Sequence, residues 1–210
     1  MLRRSETWQK PGRKNGKMNV TEKEVLSVLK EQISKTQQSL DDAGYNPTSV
    51  REQVADLAKH YGSPALDVGT GASACLAVIM AQKGMWVTAV DHASNALHQA
   101  EERADGVLSE RLEIRYAEAS HLPFADNTYQ VVTAFDALCH ANEPDLVLKE
   151  MFRVSSKAVI ITELNTAGRE ITRHQDGGFH EKLPVLLAPY CANCQRYDSC
   201  HHITYVCEEK

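Results

Sequence analysis

The sequence predicts a doubly wound α/β domain: a Rossmann-like, seven-stranded sheet with an antiparallel last strand and helices on both faces. From Ala65 onward, short β-branched runs alternate with helical intervals, as in a parallel sheet covered on both sides. A glycine-rich turn follows the first of these runs. With 210 residues and 42% hydrophobic content, the chain can bury one sizeable core.

The strands of this sheet are predicted from the apolar runs and the breaks between them. Parallel strands are expected at 65–68, 86–90, 112–116, 130–135 and 158–162. Residues 183–187 and 202–206 are two further strand candidates. No crossover helix fits between these two, so we expect them to be antiparallel neighbours joined by a cysteine-rich segment.

Capping signals predict the helices. Thr21 and Glu24 have capping-box spacing before a helix that ends near Gly44. Asn46 can cap a second helix that begins at Pro47 and ends at Gly62. Further helices are expected at 94–104, 145–153 and 166–174.

The chain divides into three expected segments. Residues 1–17 form a basic flexible arm. This arm is either a disordered extension before Met18 or a basic segment that folds over an acidic substrate. Residues 18–62 supply two N-terminal helices that precede the sheet. Residues 63–210 form the main domain, with a cysteine-rich hairpin at 191–207.

Charge and hydropathy restrict the partners. A formal charge of −5 with 24% charged residues leaves no broad basic surface, which argues against nucleic acid as a partner. No apolar stretch is long enough to span a bilayer, and the N-terminus lacks the apolar region of a secretory signal, so no membrane partner and a cytoplasmic location are expected. The six cysteines do not indicate a disulfide scaffold. The oligomeric state is not predicted.

The turn after the first strand predicts a ligand site. Gly69 and Gly71 let the backbone turn sharply and approach a ligand, and Asp91, twenty residues after Gly71, can bind the hydroxyls of a ribose. Gly69, Gly71 and Ala74 also fit the spacing of a dinucleotide loop, so a nicotinamide cofactor is the rival hypothesis. Asp67 argues against it, because a carboxylate there would repel a pyrophosphate.

Four ordered motifs resemble class I S-adenosylmethionine-dependent methyltransferases, of the small-molecule type found in ubiquinone and menaquinone biosynthesis. Residues 67–71, Asp-Val-Gly-Thr-Gly, resemble the family's first motif, and Asp91 occupies its ribose-binding acidic position. Residues 117–124 resemble its Gly-Asp-Ala-x-x-Leu-Pro-Phe segment, and residues 126–132 its fourth strand. The resemblance implies S-adenosylmethionine as cofactor, and it implies that the N-terminal helices of residues 18–62 cover this cofactor as a lid. The cofactor-binding residues it implies are Asp67, Gly69, Thr70, Gly71, Asp91, Glu118, Ala119 and Phe135.

Methyl transfer from a sulfonium requires in-line approach of a nucleophile, and orientation supplies much of the acceleration. His140, after the fourth strand, is the candidate general base, since loops at the carboxyl ends of strands line the ligand crevice. The alternative is that His140 is a polar loop residue without a chemical role. Asp136 and His121 are weaker candidates of the same kind.

The C-terminus carries a group of metal-ligand residues that departs from the family pattern. Candidate ligands are Cys191, Cys194, Cys200, His201 and Cys207. Such residues can bind zinc tetrahedrally or serve an iron–sulfur cluster. The alternatives are reduced thiols packed in a hairpin, or thiols that bind a soft metal substrate near the methyl donor.

These observations predict an enzyme that transfers a methyl group from S-adenosylmethionine to a small-molecule acceptor, with metal- or thiol-bearing compounds among the candidates. Two alternatives remain open. One is a non-catalytic S-adenosylmethionine-binding module that senses a metal or binds a partner through the hairpin. The other is a nicotinamide-dependent reductase.

Overall fold

The computed structural model describes residues 40–42, 44–93, 110–175, 177–191 and 193–208. The predicted arm at 1–17, the predicted helix at 94–104 and most of the helix that ends near Gly44 lie outside these residues. Residues 40–42 are helical. From Ala43 onward the chain forms one compact unit, which is the domain described below.

Seven strands of the described residues form one sheet. They are β1 (Ala65–Val68), β2 (Val87–Asp91), β3 (Leu112–Tyr116), β4 (Tyr129–Phe135), β5 (Ser155–Leu164), β6 (Cys194–Asp198) and β7 (His202–Glu208). Their order across the sheet is β3-β2-β1-β4-β5-β7-β6. The first five strands are mutually parallel, and β7 is antiparallel to both β5 and β6. The predicted fold class is therefore confirmed.

The strand order places the ligand crevice. It runs outward in one direction from β1 through β2 to β3, and in the other direction from β4 to β5. In such sheets the crossover helices diverge at the reversal, so a crevice opens outside the carboxyl ends of the two central strands. Here that crevice lies above β1 and β4.

The described helices cover both faces of the sheet. They are α1 (Pro47–Tyr61), α2 (Cys75–Gln82), α3 (Pro144–Val154), α4 (Thr166–Thr172) and α5 (Phe179–Leu187), with a 3-10 turn at Leu138–His140. As predicted, Asn46 caps α1, and its side chain accepts from the Thr48 amide at 3.0 Å. None of these helices is both long and apolar enough to cross a bilayer.

Two hydrophobic cores follow from the alternation of side chains along the strands. On β5, Ile160 packs with the core that contains Val54 of α1 and Met80 of α2. The next residue, Ile161, belongs to the opposite core, with Leu148 of α3 and Leu183 of α5. Burial of each such side chain stabilises the fold by about 1.5–3 kcal/mol. The helix predicted from Pro47 onward, α1, therefore packs on one face of the sheet as part of the domain core.

One strand prediction is wrong. Residues 183–187 form the second half of α5, where Leu183 and Leu187 are buried one turn apart, and not a strand. A short apolar run does not distinguish a strand from a buried helical turn. The strand that forms the hairpin with β7 is β6, inside the cysteine-rich segment. The predicted antiparallel hairpin exists with this different partner.

Candidate cofactor and acceptor site

The glycine loop lies across the end of β2. The amides of Gly69 and Thr70 both donate to the Val90 carbonyl, at 2.9 and 3.1 Å. Gly69 and Gly71 have φ values of +73° and +64°, which disfavour residues with a Cβ. Among the described residues, no atom outside the loop lies within 4 Å of the position that a Cβ on Gly71 would take. The loop has the form of a cradle for a ligand.

Asp67 lies buried beneath this loop, with 2% of its surface exposed. Its carboxylate accepts from the hydroxyls of Thr70 and Thr133, both at 2.8 Å. Burial raises the pKa of Asp67 to about 6, and the two hydroxyls and the Arg51 guanidinium oppose this shift. The Asp67 side chain thus adds negative charge at neutral pH directly under the glycine turn.

Asp91 ties the loop to the neighbouring strand. Its Oδ2 accepts from the Gly71 amide at 2.9 Å, and its Oδ1 accepts from the Ala93 amide at 2.8 Å. The Asp91 carbonyl accepts from the Ala117 amide at 3.1 Å, which brings the end of β3 beside it. Glu118 follows there as an exposed residue. Asp91 and Glu118 therefore border the same side of the crevice.

These charges suit a cationic ligand better than an anionic one. Two carboxylates, Asp67 and Asp91, flank the loop, and the negative charge of Asp91 contributes to the raised pKa of Asp67. A pyrophosphate placed on this loop would meet both charges. The sulfonium and ammonium groups of S-adenosylmethionine would be attracted to them, and its ribose hydroxyls could donate to Asp91. The residues present fit that cofactor.

The other side of the crevice is formed by the turn after β4. Asp136 begins this turn in a left-handed conformation with φ +49°, a backbone state that is strained for a non-glycine residue. The His202 Nε2 lies 3.2 Å from the Asp136 Oδ2 and 3.4 Å from the Tyr45 hydroxyl oxygen. Burial, with Asp136 as the second cause, raises the pKa of Tyr45 to about 12. Tyr45, Asp136 and His202 form one polar cluster at this edge.

Glu163 supports the same turn, and sequence reasoning missed it. It is fully buried at the end of β5, and its Oε1 accepts from the Leu138 and Cys139 amides at 2.9 and 3.3 Å. Its Oε2 has no hydrogen-bond partner among the described residues. Burial and then the nearby Asp136 carboxylate raise the pKa of Glu163 to about 8. A lone carboxylate at the end of an apolar run was the signal available in the sequence.

His140 ends the 3-10 turn as an exposed residue. Its ring packs edge-on against His174 with centroids 4.9 Å apart, and the Cys139 sulfur lies 3.7 Å from the His174 Nε2. His174 follows α4 and had no sequence signal. The structure thus adds two polar neighbours to the predicted base. His121, by contrast, lies exposed in the loop after Glu118, whose carbonyl accepts from its amide.

The remaining predicted cofactor residues border the crevice from β3 and β4. Ala119 is partly buried and packs against the larger core, one residue after Glu118. Phe135, the last residue of β4, is 9% exposed. The Arg51 guanidinium of α1 lies 4.6 Å from the centre of its ring. The Arg51 side chain therefore makes a cation–π contact with the Phe135 ring at the carboxyl edge of the sheet.

The cysteine-rich hairpin separates the predicted metal ligands. The sulfur atoms of Cys191, Cys194 and Cys207 all lie within 4.8 Å of one another. The Cys207 thiol donates to the Cys194 sulfur, which lowers the pKa of Cys194 and raises that of Cys207. Cys200 and His201 lie instead at the turn between β6 and β7, and they are not part of this thiol group.

Comparison with known proteins agrees with this site. The family described as a methyltransferase domain matches residues 66–161, from β1 into β5. Methyltransferase GfsG of Streptomyces halstedii is 31% identical over 117 residues, covering 55% of this chain and 41% of the relative. Demethylmenaquinone methyltransferase of Thermobifida fusca is 32% identical over 149 residues, covering 69% and 62%. The chain spans less than two thirds of the length of either relative.

Solved structures share the fold. A SAM-dependent methyltransferase from Aquifex aeolicus superposes with a TM-score of 0.56 at 19% identity, covering 84% of this chain and 98% of that one. The (4+2)-cyclase SpnF superposes with a TM-score of 0.60 at 16% identity, covering 75% and 80%. These identities establish the fold alone, and the cyclase illustrates that the fold does not specify the reaction.

Fold and loop geometry define a Rossmann-like domain with a ligand crevice above β1 and β4. Within that class, the match over residues 66–161 assigns this part of the chain to the methyltransferase-domain family. The sequence likeness to demethylmenaquinone methyltransferase agrees with that assignment.

Proposed function

We propose that this protein transfers a methyl group from S-adenosylmethionine to a small-molecule acceptor. The observation that carries the proposal is the pairing of Asp67 and Asp91 around the glycine loop, with Asp91 bonded to the Gly71 amide. This arrangement supplies negative charge for a cationic cofactor and a carboxylate for its ribose. The relatives' names support the same reaction class, including one that acts on demethylmenaquinone.

The chain's own residues would bind and orient the reactants. The cofactor supplies an electrophilic methyl group on a sulfonium. Asp91, Glu118 and the Ala119 backbone would hold its nucleoside, while Asp67, Thr70 and the glycines would border its amino-acid part. Phe135 would close the floor of the site and exclude water. Orientation of this kind lowers the barrier because the transfer needs in-line approach.

The acceptor would enter over the turn after β4. His140 is exposed at the mouth of this turn and would accept a proton from an acceptor nucleophile. The Tyr45, Asp136 and His202 cluster offers hydrogen bonds to a polar acceptor group. A metal- or thiol-bearing compound is one candidate class. Among the described residues of the predicted lid at 18–62, Tyr45 is the one that would cover the reactants, because its hydroxyl belongs to this cluster.

A cytoplasmic location fits the thiols. None of the six cysteines, all of which lie within the described ranges, forms a disulfide. Reduced thiols are the rule in the cytoplasm. This observation supports the location expected from the sequence.

One binding experiment separates this function from its two alternatives. The protein is titrated with S-adenosylmethionine, S-adenosylhomocysteine and reduced nicotinamide dinucleotides by calorimetry, and then incubated with an acceptor library while S-adenosylhomocysteine release is followed. Release with an acceptor supports the enzyme. Tight S-adenosylmethionine binding without release with any acceptor would favour a non-catalytic module. Binding of the dinucleotide alone would favour a reductase.

Replacement of Asp91 tests the cofactor site. Asp91→Asn places an amide donor against the Gly71 or the Ala93 amide and removes the charge. We expect S-adenosylhomocysteine affinity to fall roughly 10-fold to 100-fold, because each hydrogen bond to a charged group contributes about 1.5–3 kcal/mol. Glu113→Gln, on the exposed edge strand β3, is the matched control. Equal affinity in the two variants would contradict the assignment.

Replacement of His140 tests the acceptor side. We expect His140→Ala to lower the rate of methyl transfer by about 100-fold, the usual loss of a general base, with S-adenosylhomocysteine affinity unchanged. His121→Ala, another exposed histidine, should leave the rate at the wild-type value. A full rate in His140→Ala would show that it is only a surface residue. The assay follows S-adenosylhomocysteine release with the acceptor found by the screen.

A further inference from the structure

Three thiols gather at the edge of the domain from two segments of the chain, the stretch 191–194 and the last strand. Cys191 follows α5, Cys194 begins β6, and Cys207 lies near the end of β7, directly opposite Cys194 in the antiparallel register. Their sulfur atoms lie within 4.8 Å of one another. Cys207 is fully buried and Cys191 is 8% exposed, whereas Cys194 is open to solvent.

We infer that Cys191, Cys194 and Cys207 bind a single zinc-type ion through three thiolates, with the fourth position open toward solvent beside Cys194. Tetrahedral coordination with Zn–S bonds of about 2.3 Å places the sulfur atoms roughly 3.8 Å apart. The observed spacing needs only a small contraction to reach this geometry. Thiolates select such soft or borderline ions over calcium or magnesium.

The spacing favours one ion over an iron–sulfur cluster. A cluster inserts several iron and sulfide atoms between its cysteine ligands, which lie further apart than the ligands of a single ion. Such clusters also use four cysteines, and the group in the described residues contains three. Cys200 lies at the far end of the hairpin, beyond reach as a fourth ligand.

The thiols lie too far from the glycine loop for the bound ion to be the methyl acceptor, so the ion would have a structural role. β7 is separated from β1 by β4 and β5, which corresponds to three strand spacings, about 14 Å. Through the register, Cys207 is level with Leu66, three residues or about 10 Å before Gly69. The thiols therefore lie on the order of 17 Å from the glycine loop, whereas a reacting atom must come within about 3.5 Å of the methyl group.

The ion would connect two parts of the chain. Cys191 lies one turn after Leu187, whose carbonyl accepts from the Cys191 amide at 3.3 Å. Cys194 and Cys207 belong to the hairpin that forms the edge of the sheet. Coordination would fix the end of α5 to this edge strand, whose residues are mostly exposed and contribute little to the core.

The test measures metal in the whole chain. Protein purified anaerobically with reductant is analysed for zinc, iron and copper per chain. We expect about one zinc per chain, and at least a tenfold loss in Cys194→Ser, since removal of a ligand costs more than the 10-fold to 100-fold loss typical of a supporting residue. Cys200→Ser, also an exposed cysteine of the hairpin, is the control and should retain the ion.

A second readout does not depend on the metal present at purification. Chelated protein is titrated with Co²⁺, and the thiolate-to-cobalt absorption should appear in wild type and Cys200→Ser and be reduced in Cys194→Ser. S-adenosylhomocysteine affinity should be the same in all three, so the outcome is independent of the proposed methyl transfer. No cobalt absorption in reduced wild type, stoichiometric iron with sulfide, or equal loss in Cys200→Ser would each overturn the inference.

Discussion

Gly69→Ala should abolish measurable S-adenosylhomocysteine binding and destabilise the domain by about 2 to 5 kcal/mol. Two costs add at this position. The left-handed φ of +73° is unfavourable for alanine, and the new Cβ would lie 2.5 Å from the Cβ of Ala137. Ala137 belongs to the turn after β4, so the clash would displace both sides of the crevice. Chemical unfolding and calorimetry measure the two effects.

Gly71 provides the matched control. Its φ of +64° is equally left-handed, but no atom of the residues that the structure describes lies within 4 Å of an added Cβ. Gly71→Ala should therefore lose only about 1 to 2 kcal/mol of stability, from backbone strain. The double variant Gly69→Ala with Ala137→Gly removes the clash and should recover about 1 to 3 kcal/mol. Equal stability of the two single variants would show that Ala137 does not restrict the loop.

Glu163→Gln should stabilise the protein at alkaline pH and change it little at acid pH. The pKa of Glu163 is raised from its usual 4.5 to about 8 by burial and by Asp136. Because the folded pKa is raised, the stabilising contribution of the proton is fully present below pH 4.5 and is lost as the pH rises through 8. Above pH 8 the folded protein must keep a buried charge.

The expected gain for Glu163→Gln at pH 9 is about 2 to 5 kcal/mol, since one pKa unit corresponds to about 1.4 kcal/mol. Glutamine retains an oxygen that can accept from the Leu138 and Cys139 amides. Free energies of unfolding at pH 5, 7 and 9 give the profile, with Glu113→Gln as an exposed control. A difference between variant and wild type that does not change with pH would contradict the buried, titrating carboxyl.

Local patterns determined most of the fold. β1 and β3 have the predicted limits, and β2 and β4 differ by a single residue at one or both ends. Such strands are apolar runs between clear turn signals, so each strand can be predicted from its own segment of the sequence. β5 is longer than predicted, because α3 ends at Val154 and the strand begins at Ser155 without a loop.

The edge of the sheet could not be predicted in this way. The residues of β6 are mostly exposed and polar, so they show no hydrophobic alternation. This strand forms because its backbone pairs with that of β7 in an antiparallel ladder. α5 was misassigned for the opposite reason, since its apolar run fits either a buried helix or a strand.

The sequence by itself determined that Asp67, the glycines and Asp91 meet, because they lie on short loops at the ends of neighbouring strands. Only the tertiary structure decided which side chains surround the turn after β4 and which cysteines form the thiol group. Glu163, His174 and His202 reach the turn after β4 from β5, from the end of α4 and from β7, and no local pattern relates these positions. Likewise, the register of β6 on β7 brought Cys194 opposite Cys207 and left Cys200 and His201 at the turn. Contacts between segments that are distant in the chain depend on strand register and packing, which a single sequence does not display.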